Sequence, residues 1–134
     1  MESPKHLSHK PIISVNDYDK IDALYANHTD VRALSIGRAQ YDGDQISLKV
    51  WRHTGNKWSR QSEELPIHRN LDLSILLLAA LSTDTSVNYP ISNLSLNIDN
   101  EEDVQAIKEY YKEHKKDLEP RLKQLKQLLN ELLK

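Results

Sequence analysis

Between Lys49 and Arg69 the chain gathers side chains suited to holding a phosphate-bearing ring: Lys49, Trp51, Lys57, Trp58, Arg60, Gln61, His68 and Arg69. An indole offers a face on which a base stacks. Arginine grips phosphate through a planar fork that lysine lacks. Gln61 and His68 add hydrogen-bonding groups for a base edge. In this scheme Trp51 or Trp58 stacks the base, Lys49 meets a phosphate, and Arg60 and Arg69 hold the others. Five of the six arginines and both tryptophans lie between positions 32 and 69. Two plainer readings compete. Tryptophan is mostly buried, so Trp51 is equally a core candidate. Glu63, Glu64 or Asp72 can also neutralise Arg60 and Arg69 in an internal salt-bridge network.

Catalysis has less to stand on. A hydrolase or nuclease would draw on His53 and His68 with Glu63, Glu64 and Asp72. Neighbouring Glu63 and Glu64 point to opposite faces of a strand, however, so they make no acid/base dyad. The sequence has no nucleophile elbow, no Walker loop and no dinucleotide fingerprint, and it contains only three glycines. There is no cysteine, which excludes disulfides and thiolate zinc sites. His6 and His9 lie three apart in a polar leading segment, and His28, His53 and His68 are dispersed, with no helical metal-binding pair. The expectation is therefore a binding protein with no catalytic residues, no metal and no cofactor.

The elements that must carry these residues follow from patterning. At 134 residues with 38% hydrophobic content, the chain suits a single domain. Residues 1–11 read as a flexible arm, 12–98 as a core of sheet plus helix, and 99–134 as C-terminal helices. Ile12, Ile13 and Val15 suit an edge strand, and Asp17 to Ala26 a helical turn. From Val31 to Leu65 the pattern is an antiparallel meander with strands near 32–40, 45–53 and 58–65. Asp42-Gly43-Asp44 and Thr54-Gly55-Asn56-Lys57 mark its turns. Ile46, Leu48 and Val50 alternate with Ser47, Lys49 and Trp51, as in a half-buried strand. If the aliphatic set faces the core with Leu34 and Ile36, then Lys49, Trp51 and His53 face outward. They would lie beside the small residues Ala33, Ser35, Gly37 and Ala39, in a shallow trough. A buried helix is expected from about Asn70 to Leu81, a loop from Ser82 to Asn93 and a short strand over Leu94 to Ile98. Asp99 or Asn100 caps the next helix, which Pro120 should kink or restart. Leu118, Leu122, Leu125, Leu129 and Leu132 then form a coiled-coil-like seam. The fold class is α+β.

The run from Lys49 to Leu73 resembles a family of small uncharacterised bacterial and phage proteins with the pattern KVWRxTGxKWSRQSEELPxHRxLDL. The similarity takes in Tyr18 to Asp22 and His28 to Gln40, much of the first 80 residues. It carries no function, and it implies a bacterial or phage setting. In the order of its elements the chain is similar to the single-stranded-DNA-binding transcriptional-cofactor fold, without that group's lysine- and glycine-rich strand entry. By size and by its Arg/Trp cluster it resembles phage counter-defence sponges, which sequester cyclic nucleotide signals.

The net charge of -2 favours one compact site over the continuous basic track of a polymer binder. The expected ligand is thus a small signalling nucleotide. Single-stranded nucleic acid and a protein-interaction surface on the helices are the alternatives. No signal peptide and no membrane span are evident, which points to the cytoplasm. The broad C-terminal leucine stripe points to a homo-oligomer.

Overall fold

The computed structural model describes residues 1–4, 8–59, 62–82, 94 and 96–134. The chain divides into two compact units, Met1–Asp72 and Leu73–Lys134. The first holds an antiparallel sheet of four strands in sequence order: β1 (Lys10–Asn16), β2 (Val31–Arg38), β3 (Ile46–Arg52) and β4 (Glu64–Pro66). Helix α1 (Ile67–Ser82) begins in that unit, and α2 (Val104–Glu113) and α3 (Lys115–Leu132) belong to the second. The α+β expectation holds.

The meander follows from alternation and from two glycines. Gly37 sits where β1 crosses close to β2, and a Cβ there would stand 2.1 Å from the Lys10 carbonyl oxygen. The ladder shifts register between Pro11 and Ile13 at the same place. Gly55 takes φ 100° in the turn after β3, a conformation costly for any residue with a Cβ. The β2–β3 loop closes differently from the expected glycine turn. Asp42 accepts from the Gln45 amide through its carbonyl at 2.9 Å and from the Asp44 amide through its side chain at 2.9 Å. Asp42 makes this turn itself by side-chain capping.

The expected third strand over 58–65 is split. Trp58 makes an isolated bridge to His53, and regular pairing resumes only at β4. Between them the Ser62 hydroxyl accepts from the Arg52 amide at 3.0 Å, so a side chain stands in for the ladder. Helix α1 starts at Ile67, directly after Pro66 and three residues before the expected start. The Asp17–Ala26 stretch forms two short 3-10 turns, Tyr18–Lys20 and Ala23–Tyr25. The loop expected after Ser82 falls outside the described residues, and the described residues of 94–98 are not in a strand.

In the second unit the Asn100 side chain caps the turn before α2 by accepting from the Glu102 amide at 3.1 Å. Pro120 lies inside α3 without ending it. The break comes earlier, at His114, whose carbonyl accepts from Asp117 and Leu118 as α3 begins. A restart there leaves Pro120 in the second turn of the new helix. Its missing amide then costs one intrahelical bond near an end, not one in the middle of a longer helix.

Candidate functional site

The sheet has two unlike faces. On one, Val15, Leu34 and Val50 line up across three strands, and Ile13, Ile36, Leu48 and Leu65 across four. On the other, Ala33 lies opposite Trp51, Ser35 opposite Lys49, and Lys49 opposite Glu64. The alternation is the expected one, but its assignment to core and surface is reversed. Trp51 is only 1% exposed and Lys49 only 8%. The aliphatic rows are half-buried or open, Ile13 to the extent of 68%.

What closes the Trp51 face is a polar network. Small side chains on β2 leave depth between the strands, and His9 fills it, with no exposed surface at all. The Trp51 indole N–H donates to Ser35 Oγ at 2.8 Å. Ser35 Oγ lies 3.1 Å from His9 Nε2, and His9 Nδ1 lies 3.0 Å from Ser47 Oγ. Ser47 donates to Glu64 Oε2 at 3.0 Å. With a carboxylate at Glu64 and a neutral ring at His9, Ser47 gives Glu64 a proton and takes one from His9 Nδ1–H, and Nε2 accepts the Ser35 hydroxyl. Burial, the largest influence, pushes the His9 pKa below the ordinary value; Glu64 opposes the shift and Lys49 reinforces it.

Glu64 joins the network to charge. Its Oε2 also accepts from the Gln40 amide at 2.9 Å. Among the described residues Oε1 has no hydrogen-bond partner, and it faces Lys49 Nζ at 3.5 Å and His9 Nδ1 at 3.7 Å. Lys49 Nζ also lies 4.5 Å from the centre of the Trp51 ring, a cation–π contact within a desolvated site.

The six candidate residues that are described therefore do not share one open site. Lys49 and Trp51 are committed to the interior, which corrects their assignment to an outward trough. Trp58 is half-buried, edge-on to Trp51 at 5.8 Å and to His53 at 5.0 Å, and Lys57 is exposed beside it. His68 and Arg69 are exposed on the first turn of α1, and Arg60 and Gln61 lie outside the described residues. Two of the three acids expected to neutralise Arg60 and Arg69 serve other cations. Glu63 takes Arg52 in a forked pair, with Nη2 at 2.9 Å, and Glu64 takes Lys49. Asp30 holds the same arginine at 2.6 Å. Glu63 and Asp30 raise the Arg52 pKa further, and Arg52 lowers that of Glu63.

Four members of the network were missed from the sequence: His9, Ser35, Ser47 and Glu64. The 1–11 segment was expected as an arm, yet His9 is wholly buried, and buried Ser3 bonds the Asn16 side chain and lies 2.7 Å from Ser14 Oγ. The available signal was the row Ala33, Ser35, Gly37 and Ala39. So many small residues facing a tryptophan leave a space that another part of the chain can fill.

The other face opens into a cleft of about 360 Å³, floored by the aliphatic rows and bordered by Ser14, Glu63 and Asn70. Lys49 and Glu63, the charged residues that border it, are already paired. No helix of the described residues is long and apolar enough to cross a membrane, and among them no group of three or more His, Asp or Glu could hold a metal ion.

The model of a family of unknown function, DUF6530, matches residues 1–94. It thus covers the whole sheet, both of its faces and α1. No curated protein and no solved structure matches the chain.

Proposed function

The chain belongs to that family of unknown function, and on that premise we propose that it is a non-catalytic interaction module whose sheet receives the apolar side of a partner protein's helix. One observation carries this reading. The groups that could do chemistry on the Trp51 face are closed in and bonded to one another, whereas the described residues of the first unit leave the aliphatic face half-buried or open. An apolar sheet face needs a second layer, and a helix laid across the strands is a common one. With its bordering charges already paired, the cleft selects by apolar packing and not by phosphate. Self-association belongs to the same reading, with the exposed leucines of α3 as its surface.

The test is affinity capture with the full chain and with Ile13→Asp, a change at an exposed position that puts a charge beside the cleft. A peptide of the captured partner's helix is then titrated calorimetrically into both. Binding to the parent and loss with Ile13→Asp is the expected result. Equal binding to both overturns the proposal.

Nucleotide binding is the second reading, favoured by one feature: Trp58 keeps part of its ring accessible next to exposed Lys57. A small signalling nucleotide, sequestered as by a phage sponge, would stack there, with single-stranded nucleic acid as the alternative ligand. Native mass spectrometry with a mixed nucleotide pool, repeated on Lys57→Ala and Arg69→Ala, tests it. Retention by the parent and loss in both variants would move the function to this site.

A further inference from the structure

Helix α3 stands out in the second unit. It is 18 residues long, and its leucines recur at intervals of four and three: Leu118, Leu122, Leu125, Leu129 and Leu132. That is a heptad seam with Leu122 and Leu129 at a and the other three at d. Leu118 and Leu122 are half-buried, and the seam is more open toward its C-terminal end. Leu125 and Leu129 are nearly half exposed and Leu132 is 79% exposed. Pro120 falls at position f, on the side away from the seam, so it does not obstruct a partner there.

Charge decides what covers it. The e positions carry Glu119 and Lys126, and Arg121 and Leu128 occupy g. In a parallel pair, g meets the e position five residues further along the other helix. That would put Arg121 against Lys126 of the other copy, twice. In an antiparallel pair, e meets e and g meets g. With Leu122 facing Leu125 of the second copy, Leu118 faces Leu129, giving four leucine layers about a twofold axis. Glu119 then meets Lys126, also twice, and Leu128 covers the aliphatic stem of Arg121. Sliding the pair one heptad toward the C-terminus would set Lys126 against Lys126. The charges thus select one orientation and one register.

We infer that α3 pairs antiparallel with α3 of a second copy of this chain, Leu122 against Leu125, with Glu119–Lys126 ion pairs on both sides. The pairing rests on the self-association already proposed and gives it a geometry. It lies beyond the residues that the family model matches, so it is a feature of this chain's own C-terminal part. The seam spans about two and a half heptads, shorter than a self-sufficient coiled coil, so the dimer dissociates on dilution.

Sedimentation velocity of the full chain across a dilution series tests the association, and Lys126→Glu tests the geometry. Lys126 has no acidic neighbour three or four residues away on its own helix, and the in-chain pairs of Glu119 with Lys115 and Lys123 survive the change. Antiparallel pairing predicts that Lys126→Glu weakens the dimer about tenfold, because Glu119 then meets Glu. Parallel pairing predicts strengthening, through Arg121. As the chain has no cysteine, Leu118→Cys and Leu129→Cys each carry a single thiol. When mixed and oxidised, they should give chiefly the mixed disulfide. Homodisulfides, or a dimer tightened or unmoved by Lys126→Glu, overturn the geometry and leave self-association standing. A monomer at every concentration overturns both.

Discussion

Replacing Glu64 by alanine should unfold the first unit more readily than any surface change. Glu64 accepts from Ser47 and from the Gln40 amide, and it faces Lys49 at 3.5 Å and His9 at 3.7 Å. Its removal leaves Lys49, at 8% exposure, with the Gln40 side-chain Oε1 at 3.4 Å and the Trp51 ring as the attractive contacts described for it. Removing one partner of a buried pair costs about 3–5 kcal/mol, a large share of the roughly 5–15 kcal/mol that holds a typical domain together. For a unit of this size that is a fall in Tm of about 12 °C or more. Both tryptophans lie in Met1–Asp72, so urea unfolding followed by tryptophan emission reports on this unit alone. Lys49→Met supplies the second arm of a double-mutant cycle. With both charges gone, the double variant should recover part of the loss, because no unpaired charge is left buried. A loss below about 1 kcal/mol for Glu64→Ala, or single effects that simply add, would show that the carboxylate is solvated and the network is not closed.

Acid should loosen the same unit. The unfolded chain protonates His9 below the ordinary value of 6.5, whereas burial lowers the pKa in the folded state. Stability therefore falls with pH from 6.5 down to the folded-state value, and urea midpoints between pH 7.5 and 5 should decline in the parent and less in His9→Gln. Trp51→Phe removes the donor to Ser35 and should cost about 1–3 kcal/mol in urea unfolding; an unchanged midpoint would count against that bond. Gly37→Ala drives a Cβ against the backbone of Lys10 and should lower the thermal midpoint more than Gly43→Ala, whose Cβ meets nothing within 4 Å.

The sheet was legible because alternation is a local property. Leu34, Ile36, Leu48 and Val50 do share a face, and the meander follows. Which face closes is not local. His9 reaches Ser35 across 26 positions, and Ser47 meets Glu64 across 17. Neither pairing leaves a mark at short range. The helix boundaries drifted for a related reason. A proline tells where a helix cannot continue, but α2 ended at His114, ahead of Pro120, and α1 began immediately after Pro66.

The density of Arg, Trp and Lys between positions 32 and 69 suggested a ligand, but three of its cations find acids within the first unit. Lys49 goes to Glu64, and Arg52 to Glu63 and Asp30, while Arg32 reaches back to Asp19 at 3.1 Å. A charge cluster points to an outside anion only when the fold leaves its cations unmatched. Each of these three has an acid within reach on a neighbouring strand or turn. An incoming phosphate would have to displace a carboxylate already in place. The described residues of the first unit leave the aliphatic rows half-buried or open. Isoleucine and leucine gain only from being covered, so the proposed partner helix would gain more at Ile13 and Leu48 than a phosphate would at these paired cations.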